Sequence, residues 1–142
     1  MKAELLFEKQ MRNFQVINTD EKIEEIYKDL ILTYKDFDVI ESFTQLKKHQ
    51  SGLGLALEIM FFNDKYILDI VVSNNNIDHY ILKIKEVTSL YLSTSNINLE
   101  SSVSDSITLR IMFKESVQLF YVTEKKRYLE LINLKNALLK YI

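Results

Sequence analysis

Few side chains in this chain combine the type and the spacing that chemistry needs. It has two histidines, His49 and His79, and no cysteine. His79 could serve as a general base or metal ligand, with Asp78 beside it and Asp69 on a neighbouring strand. Adjacent strand residues point to opposite faces, so Asp78 and His79 do not share a ligand, and a partly exposed strand histidine is the plainer expectation. Asp69 interrupts the apolar run Tyr66–Val72, and Glu58 interrupts Leu53–Phe62. Both are expected on a solvated strand face. If the register brings them together, two carboxylates could share a proton or hold a divalent ion. A one-residue slip would send them to opposite faces. Glu58, Asp69 and His79 are the set an enzyme would need.

Two basic segments are candidates for binding. Lys47, Lys48 and His49 lie in a loop-like stretch and could hold an anion or a lipid headgroup. Lys125, Lys126 and Arg127 form the densest basic run, and with Tyr128 they are the candidate partner-binding residues. Read as a helix start, this run sets positive charge against the helix dipole. Tyr121 and Tyr128 flank it, as a base-stacking pair would. A solvated turn beside Glu124 is the plainer alternative. Gly52-Leu53-Gly54 opens like a phosphate loop. Leu57 stands where a third glycine belongs, and a strand follows instead of a helix N-terminus, so no nucleotide fingerprint is read. Neither a Walker A nor a GxSxG pattern occurs.

The composition narrows the choice further. A length of 142 residues fits a single domain over 1–142, large enough for one sizeable core. The net charge of −2 gives no pull toward nucleic acid or anionic membranes. Without cysteine, disulfides, thiol nucleophiles and cysteine-ligated metals are excluded, and no metal or cofactor is expected. Lys2, Glu4, Glu8, Lys9 and Arg12 break up the first residues, so no secretory signal is expected. No apolar run approaches the roughly 18–20 residues that span a bilayer, and the cytoplasm is the expected location. Proline is absent and glycine occurs twice. In this the chain resembles small proteins of low-GC bacteria and their phages. Its turns must be built from Asn, Asp, Ser and Lys.

The elements that position these residues follow from periodicity. A short helix is expected over Ala3–Met11, with Leu5, Leu6 and Met11 inward. Ile23, Ile26, Tyr27, Leu30, Ile31 and Tyr34 mark a second helix over 19–35, capped by Asn18 or Thr19. A strand is expected over 38–46. Leu53–Phe62 alternates, with one apolar and one mixed face, and turns through Asn63-Asp64-Lys65 into a strand over Tyr66–Ser73. Asn74-Asn75-Asn76 is a turn. His79–Ile84 and Val87–Ser93 read as one bent strand or two, and Asn96–Ser106 as a surface loop. Ile107–Phe113, a turn at Lys114-Glu115-Ser116, and Val117–Val122 make a closing hairpin. A terminal helix then spans Glu124–Ile142. Tyr128, Leu131, Ile132, Leu138, Leu139 and Ile142 lie on one face, and Leu129, Leu134 and Tyr141 widen it. That arc exceeds what one contact needs, and burial within the chain is the expectation, with a dimer contact as the alternative.

The fold class is therefore α+β: an antiparallel sheet or small partly open barrel of about six or seven strands over 37–122. An N-terminal helical segment covers 1–36 and a capping helix 123–142. From Phe37 to Ile142 this order resembles the pleckstrin-homology-like superfold, in which a C-terminal helix plugs one end of a partly open barrel. Phosphoinositide-binding members carry a basic pattern ending in Arg, and here only Lys47, Lys48 and His49 stand in the matching region. The expected function is that of a non-catalytic binding or regulatory domain acting through a protein partner or a second copy bound at the terminal helix. An anion or lipid-headgroup binder, or a carboxylate and histidine enzyme, is the alternative.

Overall fold

A computed structural model describes residues 1–48, 54–95 and 106–142. The chain divides into two compact units, Met1–Leu82 and Lys83–Ile142. Its class is α+β, with N-terminal helices, seven antiparallel strands in two sheets, and a C-terminal helix.

The first unit opens with two helices where the sequence suggested one. α1 spans Ala3–Lys9 and α2 spans Met11–Ile17, separated at Gln10, whose φ of −93° and ψ of 3° leave the helical region. The break lets Phe7 and Phe14 both reach the core, whereas Leu5, expected inward, is exposed. α3 spans Asp20–Tyr34, as its spacing predicted, and buries Ile23, Ile26, Leu30 and Tyr34. Thr19 takes the cap position, but no side chain caps the helix. The expected role of Asn18 is corrected here: it ends α2, and its amide turns toward the sheet.

The four-stranded sheet runs in the order β1 (Glu41–Lys48), β2 (Leu55–Phe62), β3 (Tyr66–Val72), β4 (Ile77–Lys83). β1 starts later than predicted because Asp38 and Val39 are engaged with the N-terminus. Lys2 Nζ lies 2.8 Å from Asp38, and Val39 N–H donates to the Met1 carbonyl. Asn63 Oδ1 accepts from the backbone of both Lys65 and Tyr66, which makes the β2–β3 turn without glycine. One sheet face, with Leu57, Ile59, Phe61, Leu68, Ile70 and Val72, packs under the helices. There the rings of Tyr34 and Phe37 meet Phe61 edge-on, with centroids 5.5 and 5.2 Å away. The opposite face was expected to be mixed and half solvated. It is closed instead, with Phe43, Met60, Phe62 and Ile67 all buried.

The second unit holds a three-stranded sheet in the order β5 (Val87–Ser95), β6 (Ser106–Phe113), β7 (Gln118–Glu124). A short 3₁₀ turn at Ile84–Glu86 separates β4 from β5, so the ambiguous stretch is two strands in two sheets. Most of the predicted loop, 96–105, lies outside the described residues, and Ser106 already begins β6. In the β6–β7 turn Glu115 and Ser116 have φ of 64° and 63°, the left-handed region that glycine usually fills. The terminal helix starts later than predicted. Glu124 still pairs with Ser106 in the sheet, Lys125–Arg127 form a 3₁₀ turn, and α4 spans Tyr128–Leu139. α4 packs on the sheet through Leu131, Leu134 and Leu138, buried as are Ile107, Leu109 and Ile111 of β6. Among the described residues no helix is long and apolar enough to cross a membrane.

Candidate functional site

The β-sheet register settles where the carboxylates stand. Met60 faces Asp69 and Glu58 faces Val71 across β2 and β3, so Glu58 and Asp69 are diagonal neighbours on one face. Neither is solvated as expected: Glu58 is 4% and Asp69 2% exposed. The alternation that fixes this face was visible in the sequence. What hid the burial was the assumption that a charge-bearing face meets water. Glu58 is satisfied locally, accepting from Gln45 Nε2 at 2.7 Å and pairing with Lys47 Nζ at 3.2 Å. β1 supplies both partners because Gln45 lies directly opposite Glu58.

That pairing uses up the first of the anion-binding candidates. Lys47 is committed to a buried carboxylate on its own sheet. Lys48 points the other way and is exposed, and His49 lies outside the described residues. Lys47 and Lys48 thus stand on opposite faces of β1 and do not converge.

His79 is not on the face of Glu58 and Asp69. Its Nδ1 lies 2.7 Å from the hydroxyl of Tyr34, a member of the helix-side core, and its Nε2 lies 3.4 Å from Asp29 Oδ2. The sheet therefore separates His79 from the two carboxylates once grouped with it. One arrangement satisfies all three groups: the Tyr34 hydroxyl donates to Nδ1, and Nε2–H donates to Asp29. Burial, helped by the negative charge of Asp29, pushes the Tyr34 phenol up to about 12. Sequence reasoning missed this chain of groups because Tyr34 was placed on the apolar helix face and Asp29 fell in none of the patterns read. Their five-residue separation on α3 is not a helical neighbour spacing, and only the imidazole of β4 bridges them.

Asp29 also borders a cleft of about 340 Å³ between α3 and the β3–β4 turn, lined on one side by Lys22, Glu25, Ile26 and Asp29. Asn18, 8% exposed, is also among its lining residues. Among the described residues no group of three His, Cys, Asp or Glu is placed to hold a metal ion.

The basic run forms the 3₁₀ turn just before α4, with Arg127 at the cap position, so it still stands at the positive end of the helix, and acidic neighbours offset its charge. Lys126 Nζ pairs with Glu124 at 3.0 Å, and Arg127 makes a bidentate pair with Glu130 at 2.7 and 2.9 Å. The guanidinium holds the Glu130 carboxyl below the usual carboxylate range. Tyr121 is wholly buried, so it does not form an exposed stacking pair with Tyr128. The excess apolar arc of α4 is not buried within the chain as expected. Leu129 is 69% and Leu139 55% exposed, with Tyr128 also exposed. Tyr128, Ile132 and Leu139 form a second stripe beside the buried one, about 16 Å long at 1.5 Å per residue. On the outer side of the three-stranded sheet, Tyr91, Arg110 and Phe120 stand in one row, all exposed.

No protein-family model and no curated protein matches the chain. It is similar in structure to the C-terminal domain of an unknown protein from Leishmania infantum, with a TM-score of 0.51 and 14% identity. The match covers 82% of this chain and 98% of that one. At that identity the likeness is one of fold alone.

Proposed function

We propose that this chain is a non-catalytic, cytoplasmic binding or regulatory domain that works through protein–protein contact, with α4 as part of the contact surface. The observation that carries the reading is the second apolar stripe of α4. On that stripe Leu139 is 55% and Tyr128 39% exposed, and Leu129, 69% exposed, lies further round the helix, although a single stripe already anchors the helix on its sheet. Large apolar side chains grouped on one exposed face mark interaction surfaces more often than chance placement does. Tyr128 adds an aromatic ring with a polar tip, a residue type enriched at such surfaces. The strand order, four then three, closed by a terminal helix, supports the pleckstrin-homology-like reading. The commitment of Lys47 to Glu58 weighs against a lipid headgroup at that strand.

The occupant favoured for α4 is a second copy of the chain, since an apolar stripe is self-complementary about a two-fold axis. Sedimentation equilibrium of the wild type and of Leu129→Glu/Leu139→Glu tests this. A dimer that dissociates in the double variant, with unfolding midpoints that stay close, is the expected result. A wild type that remains monomeric at high concentration rules out self-contact through the helix.

A further inference from the structure

The outer face of the three-stranded sheet is centred on the row Tyr91, Arg110, Phe120, to which each strand gives one residue. Directly opposed residues on neighbouring strands lie about 5 Å apart, so Arg110 stands between two aromatic residues within reach of both. Tyr91 is 53% and Phe120 58% exposed. The adjoining rows add Met112 and Val122 to the same face. Arg110 makes no hydrogen bond or ion pair among the described residues. The acid on that face among the described residues is Glu124, two rows away on β7 and already paired with Lys126 at 3.0 Å. The face is thus an apolar platform with an unmatched guanidinium at its middle.

Contiguous exposed apolar surface marks an interaction site, and a cation within it needs an anionic partner once water is excluded. The size of the face narrows what that partner is. At ~4.8 Å per strand and ~3.4 Å per residue, three strands and the seven residues of β7 make a face of ~340 Å². Each side of a standard protein–protein interface buries ~800 Å². The face is too small to hold a second copy or a folded partner by itself, and it suits a short peptide segment. A nucleic-acid strand needs several cations along its phosphates, and Arg110 is the one cation on this face among the described residues. Because α4 packs on the opposite face, where Ile107, Leu109 and Ile111 of β6 are buried, this surface is independent of the α4 contact.

We propose that this sheet face docks a peptide segment of a partner protein in which a carboxylate is set between apolar side chains. Arg110 takes the carboxylate through its fork of N–H donors. The apolar side chains of the segment lie on the rings of Tyr91 and Phe120 and shield that pair from water. Arginine and tyrosine at the centre of a contact are the residue types that carry most of the binding energy.

The test is an amide-resonance NMR titration of the full chain with the capped heptapeptide Ser-Leu-Ser-Glu-Ser-Leu-Ser. When extended, its alternation turns the three larger side chains to one side. The same peptide with Gln in place of Glu, sodium acetate and a hexauridylate are the comparisons. The expected result is a saturable shift confined to β5, β6 and β7 around Tyr91, Arg110 and Phe120. Gln in the peptide and Arg110→Gln in the protein should each weaken binding at least fivefold, because each removes one charge of the pair. Phe120→Thr, at an exposed strand position, should weaken it at least threefold. If Arg110→Gln does not fold, the Gln peptide and Phe120→Thr decide. No saturable shift, equal binding of the Gln peptide, binding unchanged in Arg110→Gln or in Phe120→Thr, or saturation by hexauridylate or acetate in place of the peptide would overturn the proposal.

Discussion

The Tyr34 hydroxyl stands 2.7 Å from Nδ1 of His79, so the last turn of α3 is tied to β4, the end strand of its sheet. The phenol is buried, and its proton is held more tightly in the native state than in the unfolded chain. With the native value at about 12 against an ordinary 10, the linked stability is fully present below about pH 10 and lost as pH rises through the native value. Tyr34→Phe should cost about 1 kcal/mol near neutrality, where His79 loses its donor. It should also flatten the alkaline limb. Urea unfolding of both proteins at about pH 8 and about pH 11 measures the difference, and parallel losses in the two would contradict the assignment.

Lys47 answers a buried charge. Lys47→Met should destabilise by about 1–3 kcal/mol, because Glu58 is left with Gln45 alone. Adding Glu58→Met should recover at least half of that loss, since removing both charges also removes the desolvation cost. A double-mutant cycle by denaturant unfolding gives the coupling directly. Additive losses would show that the pair is not coupled.

The β6–β7 turn carries backbone strain that the sequence could relieve. Glu115→Gly or Ser116→Gly should each stabilise by up to about 1 kcal/mol, because a β-carbon is disfavoured at positive φ. The expected rise in unfolding midpoint is about 3 °C, read by calorimetry. A fall would mean that the flexibility added to the unfolded chain outweighs the relief.

Arg127 and Glu130 make an exposed pair with ideal fork geometry. Arg127→Ala should let the Glu130 carboxyl climb back toward the ordinary range, which a side-chain carbon NMR titration reads residue by residue. Replacing Lys126 and Arg127 together by Ala should cost no more than about 1 kcal/mol, as exposed ion pairs do. A global loss of fold would make this turn structural.

Helix and strand order was legible wherever one face alone is apolar. α3 follows from Ile23, Ile26, Leu30 and Tyr34, and the closing hairpin from its alternation. Boundaries failed where a tertiary partner overrode the local pattern. Glu124 reads as the start of a helix but completes a ladder with Ser106, and Asp38 reads as strand but answers Lys2. The register around Asn63–Lys65 could not be chosen from sequence, so Glu58 and Asp69 were only possible neighbours, and the solvated face expected for each proved buried. The link from Asp29 through His79 to Tyr34 joins residues 50 and 45 positions apart, and no local spacing announces it. Of the two cap candidates, Thr19 takes the cap position of α3, while Asn18 ends α2 and turns its amide toward Ser73.

The Gln45–Glu58–Lys47 cluster has one more consequence, for which ladder the chain accepts. A shift of β1 by one residue would bring Thr44 or Leu46 opposite Glu58 and carry Gln45 and Lys47 through to the helix-covered side. One charge would be stranded on each side of the sheet, neither with its partner. With three apolar side chains in their place, β1 could slide at far smaller cost. The cluster therefore acts as a key cut into one strand: it adds little to the depth of the native state and much to the height of its nearest competitors.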